Sequence, residues 1–517
     1  LEEGVRVKAG KRQIVEAATI VMAAFVVSRV LGLVREIAIG HQFGTSRELD
    51  AYLAAFRIPD ILFQLIAGGA LGSAFIPTFT SYLARQEEEE AWRLASAVIN
   101  LVLLVLTLGA ILAAIFAPQL VSHFVAPGFA TEEQALTVLL MRLMLISSVV
   151  FGVSGIAMGI LNSYQHFLLP ALAPVVYNLS IIGGALFLAP SIGARGLAVG
   201  VVAGSFLHLA IQVPGLYRKG LTYHPYLGLD HPGVREVGRL IGPRMLGLAT
   251  VQLNFLVNTI LASGLAEGSL AALNYAWLLM MLPQGVFAMA IATAAFPTFS
   301  ALAAREEVDE MRQTLASTLR GILYLTIPAS VGLFVLREPL IQLLLQRGRF
   351  DAASTQAVAW ALQFYAIGLF AHATVEIVTR AFYALHDTLT PVLIGAGTMA
   401  LNIVLSLLLI GPLAHGGLAL ANSTATILEM AVLLLILRSR LLGLEGERLL
   451  GSLTRVMAAA GLMGLSLVWY LRSLGESNVV ALAGGAMLLG MVVYLASSHL
   501  FGSREVVTLW QLWRTRT

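Results

Sequence analysis

No cysteine occurs among the 517 residues, which excludes disulfides and thiolate metal centres at the outset. Charge is scarce too: Asp, Glu, Lys and Arg make up 12% of the chain, about half the share of a typical soluble domain. The ten histidines are scattered without ligand spacing, and no H-E-x-x-H, P-loop or G-x-S-x-G signature is present. An enzyme is therefore not expected, and neither a metal nor a cofactor is implied. The net charge of +3 with a pI near 9.2 does not point to nucleic acid, because excess arginine on cytoplasmic loops explains it in an apolar chain.

What fills the chain is hydrocarbon. Hydrophobic residues reach 58%, mean hydropathy is +0.85, and apolar runs of helix-spanning length recur from end to end. The runs are continuous rather than alternating, so the expected class is an all-α polytopic membrane protein and not a barrel. Fourteen spans are predicted: 17–40, 51–82, 94–121, 135–160, 168–190, 196–216, 238–263, 270–300, 316–336, 355–384, 389–410, 416–438, 451–472 and 478–500. The basic start, VRVKAGKR, precedes a first span too long and too charged for a cleavable signal peptide. With the N-terminus inside, twenty Lys/Arg fall on the cytoplasmic side and six on the other, which predicts cytoplasmic N- and C-termini.

The sequence repeats itself at about 220 residues. SRVLGL (28–33) pairs with PRMLGL (243–248), and IPTFTSYLARQEEEE (76–90) with FPTFSALAAREEVDE (296–310). GILNSYQHFLLP (159–170) pairs with RAFYALHDTLTP (380–391), and ARGLAVG (194–200) with HGGLALA (415–421). Each repeat holds six spans, an even number, so the two run parallel about an axis along the membrane normal. The predicted division is an N-lobe over 17–216, a C-lobe over 238–440, and two further spans over 451–500. Two such lobes are a common architecture for alternating access, which favours a transporter over a channel or a membrane enzyme.

Ionisable residues within spans usually face a bundle interior or a wet cavity, since each costs about 2.5–3.5 kcal/mol at a span centre on insertion scales. The candidates in or beside the spans are Arg29, Arg35, Glu36, Asp50, Arg57, Asp60, Arg142, Arg244, Glu376, Arg380 and Glu429. Simpler roles compete with function. Arg57, Asp60, Arg142 and Arg380 are placed to snorkel to headgroups, and Arg35–Glu36 to join an interhelix ion pair. Arg29 and Arg244 occupy equivalent repeat positions that suit lobe packing, and Glu429 is expected to pair with a nearby arginine. The arginine excess of the N-lobe suits an anionic, phosphorylated cargo, because guanidinium keeps its charge and forks onto phosphate oxygens. The Gly-rich AGGALGSAF (67–75) suits close packing or a bend in span two, and Pro59, Pro77, Pro283 and Pro297 bracket spans two and eight in matching places.

These motifs together resemble the MurJ (MviN) lipid II flippases of the MOP exporter superfamily. The resemblance rests on SRVLGLVREIAIGHQFG, LDAYLAAFRIPD, AGGALGSAFIPTF, APGF (126–129), ILNSYQHFLLPALAPVVYN (160–178), LNFLVNTILAS (253–263), RGRFD (347–351) and RAFYALHDTLTP. It implies fourteen helices and export of undecaprenyl diphosphate carrying a disaccharide-pentapeptide, from the inner to the outer leaflet of the bacterial cytoplasmic membrane. It also implies functional roles for Arg29, Arg35, Glu36 and Asp50, and a lipid-tail groove over 451–500. Two places depart from the family pattern. Phe63-Gln64 and Gly68 replace an arginine pair and a glutamate, and Trp277, Leu278 and Met281 replace Asp, Arg and Glu.

The expected substrate-binding set is Arg29, Arg35, Glu36, Asp50, Arg57, Arg142, Arg244 and Arg380, with Glu36, Asp50 and Glu376 as ion or gating groups. Coupling to Na⁺, H⁺ or the membrane potential is expected, with membrane lipid and a lipid-linked diphosphate as partners and a monomeric chain. Either Arg244, Arg142 or Arg380 supplies the missing positive charge, or the chain is a divergent paralogue exporting another polyprenyl-linked or amphipathic cargo. A cation-coupled multidrug-type exporter and a scaffold that has lost transport are the remaining alternatives.

Overall fold

The computed structural model describes residues 2–474, 478–503 and 505, with side chains from residue 22 onward except 25, 67–73, 243, 244, 246, 247 and 250. Every described element is helical. The order is α1 (Glu2–Phe43), α2 (Arg47–Phe63), a π-turn (Gln64–Gly68), α3 (Gly69–Ala84), α4 (Glu88–Ile115), α5 (Ala117–Leu120), a second π-turn (Val121–Val125), α6 (Thr131–Ser163), α7 (Leu168–Gly183), a third π-turn (Gly184–Leu188), α8 (Ala189–Ile192), α9 (Ala194–Ala210), α10 (Val213–Arg218) and α11 (Pro232–Ser263). There follow α12 (Ser269–Ala304), α13 (Val308–Leu344), α14 (Ala352–Ala384), α15 (Leu389–Leu413), α16 (His415–Arg440), α17 (Gly446–Leu474) and α18 (Val479–Leu500). Helix is what a lipid-facing chain must form, because each backbone N–H and C=O finds its partner inside the segment.

Eleven helical segments among the described residues are long and apolar enough to cross a membrane. The other three predicted spans fall on α1, on α2 with α3, and on α11. The outward faces are apolar, as lipid requires: Leu104, Leu108, Ile111, Leu112 and Ile115 of α4 are all exposed. The first π-turn follows Pro59 of α2 by one turn and enters the Gly-rich stretch, so span two is interrupted where its sequence is weakest.

The chain divides into two compact units, Leu1–Glu267 and Gly268–Thr517. In the first, Phe75, Phe79 and Trp92 form a buried aromatic core with α6, and Tyr164 stacks on Trp92. In the second, Phe299 and Phe382 are fully buried among α12, α13, α14 and α16. Helices α17 and α18 pack on α13, where the Tyr494 hydroxyl donates to the Tyr324 carbonyl (2.6 Å) and the Tyr324 hydroxyl lies 3.0 Å from Ser498 Oγ.

The repeat is written in the backbone. Gln86 and Glu306 both take positive φ, as do Gln165 and His386, and Gly193 and Ala414, at offsets of 220, 221 and 221. Their helix-ending bonds correspond as well. Glu87 N donates to Tyr82 O as Glu307 N does to Leu302 O, and His166 N to Leu161 O as Asp387 N does to Phe382 O. Both are the six-to-one bonds that close a helix through a left-handed residue.

Helix α11 packs with the first unit, although the repeat aligns it with α1. The APGF turn receives its end: Gly128 N donates to Ser263 Oγ (3.1 Å), and a Cβ on Gly128 would lie 2.5 Å from the Gly264 backbone. Arg47 continues the fastening with ion pairs to Glu267 (2.7 Å) and Glu133 (3.3 Å). In the second unit, the HDTLTP turn is held by Asp387, which accepts from Leu389 N (3.1 Å) and Thr390 N (2.9 Å) and pairs with Arg440 (2.6 Å). These bonds, Thr390 first and Arg440 after it, hold the Asp387 carboxyl below its ordinary value.

Gly128→Ala drives a methyl into backbone that has nowhere to move. A loss of about 1–3 kcal/mol is expected, seen as a lower melting temperature in detergent. Gly32→Ala, whose added Cβ meets nothing within 4 Å, leaves the melting temperature unchanged or slightly raised. Asp387→Ala removes a helix cap and is expected to destabilise by about 1 kcal/mol near neutral pH. Because the folded value is depressed, that advantage is complete above the unfolded carboxyl's pKa of about 3.9 and is lost as pH falls through the lower folded value. Melting curves of wild type and variant should converge in acid.

Candidate functional site

The polar interior of the first unit begins on α1. Arg35 folds back onto its neighbour, its Nε (3.1 Å) and one terminal nitrogen (2.6 Å) both donating to Glu36 Oε1. Its other terminal nitrogen donates to Asn178 Oδ1 on α7 at 3.1 Å. Asn178 Nδ2 reaches the Ser28 carbonyl at 3.4 Å, so one amide ties the guanidinium and the α1 backbone to α7. The pair is largely withdrawn, with side chains 28% and 11% exposed. The ion pair is therefore made within one helix; the contact between helices is the amide.

Arg35 also lines a cavity of about 350 Å³ inside this unit. Its walls are Phe56 and Phe63 from α2, Phe151 from α6 and Tyr177 from α7, and Asp60 and His208 also line it. The aromatic walls brace one another: Phe151 meets Phe63 at 5.5 Å, Tyr177 at 5.0 Å and the His208 ring at 5.2 Å. His208 Nδ1 is 2.7 Å from Ser154 Oγ, which also accepts from Gln212 Nε2 at 2.8 Å. Ser148 Oγ donates to the Pro59 carbonyl (2.9 Å), tying α2 to α6 beside the proline. The result is an apolar chamber with one cation and one carboxylate among its described lining residues, suited to an amphipathic group whose anionic end meets Arg35.

The other sequence-predicted residues scatter. Arg29 is exposed on α1. Asp50 is buried near the start of α2. Arg57 does not snorkel: its Nε donates to Thr259 Oγ1 (2.9 Å) and its guanidinium lies over Phe255 (5.4 Å), both on α11. Gln252, also on α11, donates to Asp60 at 3.4 Å. Arg142 is exposed and donates to the Ala114 carbonyl at the end of α4, away from the chamber. The Arg244 side chain lies outside the described residues.

In the second unit, Glu376 and Arg380 pair with each other at 2.7 Å, one turn apart on α14. The expectation that Glu429 pairs with an arginine is not met, since no cation stands within ion-pair distance of it among the described residues. Trp277 packs edge-on against Tyr365 (5.3 Å) and His372 (5.5 Å), filling with aromatic contact a place where the resemblance implies an aspartate. Asn178 is the residue that sequence reasoning missed. Its only signal was its place in the PVVYN motif, an amide in an apolar run.

Asn178→Ala is expected to strand one guanidinium donor and loosen α1 from α7, at about 1–3 kcal/mol. A lower melting temperature in detergent checks the packing. Retention of full stability would show that Arg35 needs only Glu36.

A family model described as lipid II flippase MurJ matches residues 39–483. The lipid II flippase MurJ of Burkholderia cenocepacia is 33% identical over 421 residues, covering 80% of this chain and 81% of that one. The probable lipid II flippase MurJ of Vibrio cholerae serotype O1 is 30% identical over 514 residues, 95% of this chain and 97% of that one. Among solved structures, a lipid II flippase MurJ in an inward closed conformation superposes with a TM-score of 0.81 at 26% identity, covering 94% of this chain and 99% of the other. An inward-facing multidrug MATE transporter of the MOP superfamily matches at 0.70 and 15% identity, covering 83% and 99%, and so shares the fold. The chain belongs to the lipid II flippase MurJ family.

Proposed function

We propose that this chain, a multi-pass membrane transporter of its family, carries lipid II from the inner to the outer leaflet of the bacterial cytoplasmic membrane by alternating access. Fourteen helices cross, both termini are cytoplasmic, and the chain works as a monomer. The twenty-to-six Lys/Arg bias supports the orientation. The observation that carries the reading, within this family, is the Arg35–Glu36–Asn178 arrangement opening onto an aromatic chamber.

In this mechanism the diphosphate is taken by exchange. Arg35 spends two donors on one carboxylate oxygen, the same fork a phosphate oxygen would occupy. Cargo phosphate displaces Glu36, while Asn178 keeps the guanidinium aimed. Exposed Arg29 offers a first contact along the same helix, and Asp50 and Glu376 are gating groups. Moving a net charge across the membrane changes the free energy by about 2.3 kcal/mol per charge per 100 mV, so the potential, H⁺ or Na⁺ supplies direction. The polyprenyl tail stays in lipid, along α17 and α18.

Expression of this chain should rescue growth of a bacterium depleted of its own lipid II flippase. Arg35→Ala should abolish rescue at matched membrane levels, and Arg142→Ala should retain it, since Arg142 is exposed and donates to a backbone carbonyl. No rescue by well-expressed wild type would refute lipid II as cargo. Rescue by Arg35→Ala would refute the diphosphate assignment alone.

A further inference from the structure

Glu429 sits fourteen residues into α16 and eleven from its end, near the centre of a helix that crosses the membrane. Its carboxylate lies over α15, where a Cβ on Gly395 would be 3.6 Å from Glu429 Oε1. Helices α12, α14 and α15 pack against α16. Neither α12 nor α15 contains an Asp, Glu, Lys, Arg or His; Tyr275 is the one titratable group on α12. Helix α14 brings His372, Glu376 and Arg380, with Tyr365 and Tyr383.

The ionisable groups on α14 are already committed. Glu376 and Arg380 satisfy each other at 2.7 Å. His372 Nε2 is 3.0 Å from Asn422 Oδ1 and 3.3 Å from Thr426 Oγ1. On α16 itself, Arg440 is drawn to Asp387 (2.6 Å) at the helix end. Asn422, Thr426 and Glu429 follow at i, i+4 and i+7 on one face of α16, and His372, Glu376 and Arg380 at i, i+4 and i+8 on α14. A polar seam thus runs between the two helices and ends in a carboxyl group with no counter-charge among the described residues.

An ionised carboxylate without a partner is the costly state at that depth. Hard cations such as Ca²⁺ and Mg²⁺ are held by about six or more oxygens. Here one carboxylate stands alone, and no group of three or more His, Asp or Glu among the described residues is placed to hold a metal. We propose that Glu429 is a proton-binding site of the second unit, and that its loading and release are coupled to the transport cycle. The coupling half rests on the lipid II reading above. The proton adds to a carboxylate oxygen to give the neutral acid and leaves to water, with no other bond changed.

Two measurements on the full-length protein separate these ideas. Infrared difference spectra between acid and neutral pH should show a protonated-carboxyl band in wild type that is absent from Glu429→Gln. Vesicles reconstituted with lipid II should flip it at a rate that responds to an imposed pH gradient, by up to about tenfold per pH unit for one titrating proton, and Glu429→Gln should lose that response. Matching elution and melting temperature establish that the near-isosteric variant is folded, and Glu429→Asp should keep the band. A band that persists in Glu429→Gln, or a variant that keeps the full gradient response, overturns the proposal. If wild type flips no lipid II at any gradient, the cargo reading fails, and the infrared band still decides the proton site.

Discussion

Every charge placed inside a membrane helix needs a partner, and in the first unit the pairing of Arg35 with Glu36 meets that demand within a single helix. Consecutive residues point about 100° apart around a helix, so only the long arginine side chain can curl back to its neighbour. Having done so, it presents one nearly neutral unit in place of two isolated ions, and the severe penalty of an unpaired buried charge is avoided. Asn178 then orients the whole at little electrostatic expense, as an uncharged amide with an acceptor for Arg35 and a donor for the α1 backbone. The chamber walls, Phe151 and Tyr177 foremost, are apolar because the ionic problem has been solved beside them.

Sequence kinship and packing answer different questions in this chain. The two repeats end their helices with the same left-handed turns 220 or 221 residues apart, a correspondence of local backbone chemistry. Which neighbour a helix buries against is decided by side chains. The end of α11 finds Gly128, whose missing Cβ lets backbone meet backbone, and Arg57 and Asp60 find Thr259 and Gln252 on the same helix. A helix aligned with α1 in the repeat therefore packs into the first unit. Duplicated sequences keep their turns because each turn is a local solution, whereas the partner of a face is free to differ.

That distinction sets what could be read in advance. All fourteen predicted apolar stretches lie on helices, because a bilayer-length run has one way to satisfy its backbone. Arg35 and Glu36 were visible as charges out of place. Asn178 was not, because an amide among apolar residues has no periodic signature, and only the three-dimensional approach of α7 to Ser28 and Arg35 gives it meaning. Arg142 was ambiguous, since arginine in a span has the same appearance whether it faces a cavity or reaches a carbonyl such as that of Ala114. Glu429 misled: a paired arginine was the natural expectation, and the helices around it supply none that is uncommitted.

The two units handle charge differently, and this bears on the missing arginines. Where the family resemblance implies cations near 63 and 64, this chain builds Phe63 onto Phe151. Where it implies an aspartate at 277, Trp277 closes on Tyr365 and His372. A standing field of unpaired arginines would attract a diphosphate from a distance but would be costly to keep in hydrocarbon when empty. In the proposed mechanism, with the one arginine among its described lining residues paired to Glu36, the chamber exerts little standing attraction until cargo displaces that carboxylate. Binding and charge separation then become one event. The energy of exposing Glu36 is drawn from the phosphate contact itself, and only a ligand that interacts differently with the two arrangements can drive a change between them. Aromatic contact in place of spare positive charge is thus consistent with carrying an anion: it trades standing attraction for an exchange that responds to the cargo.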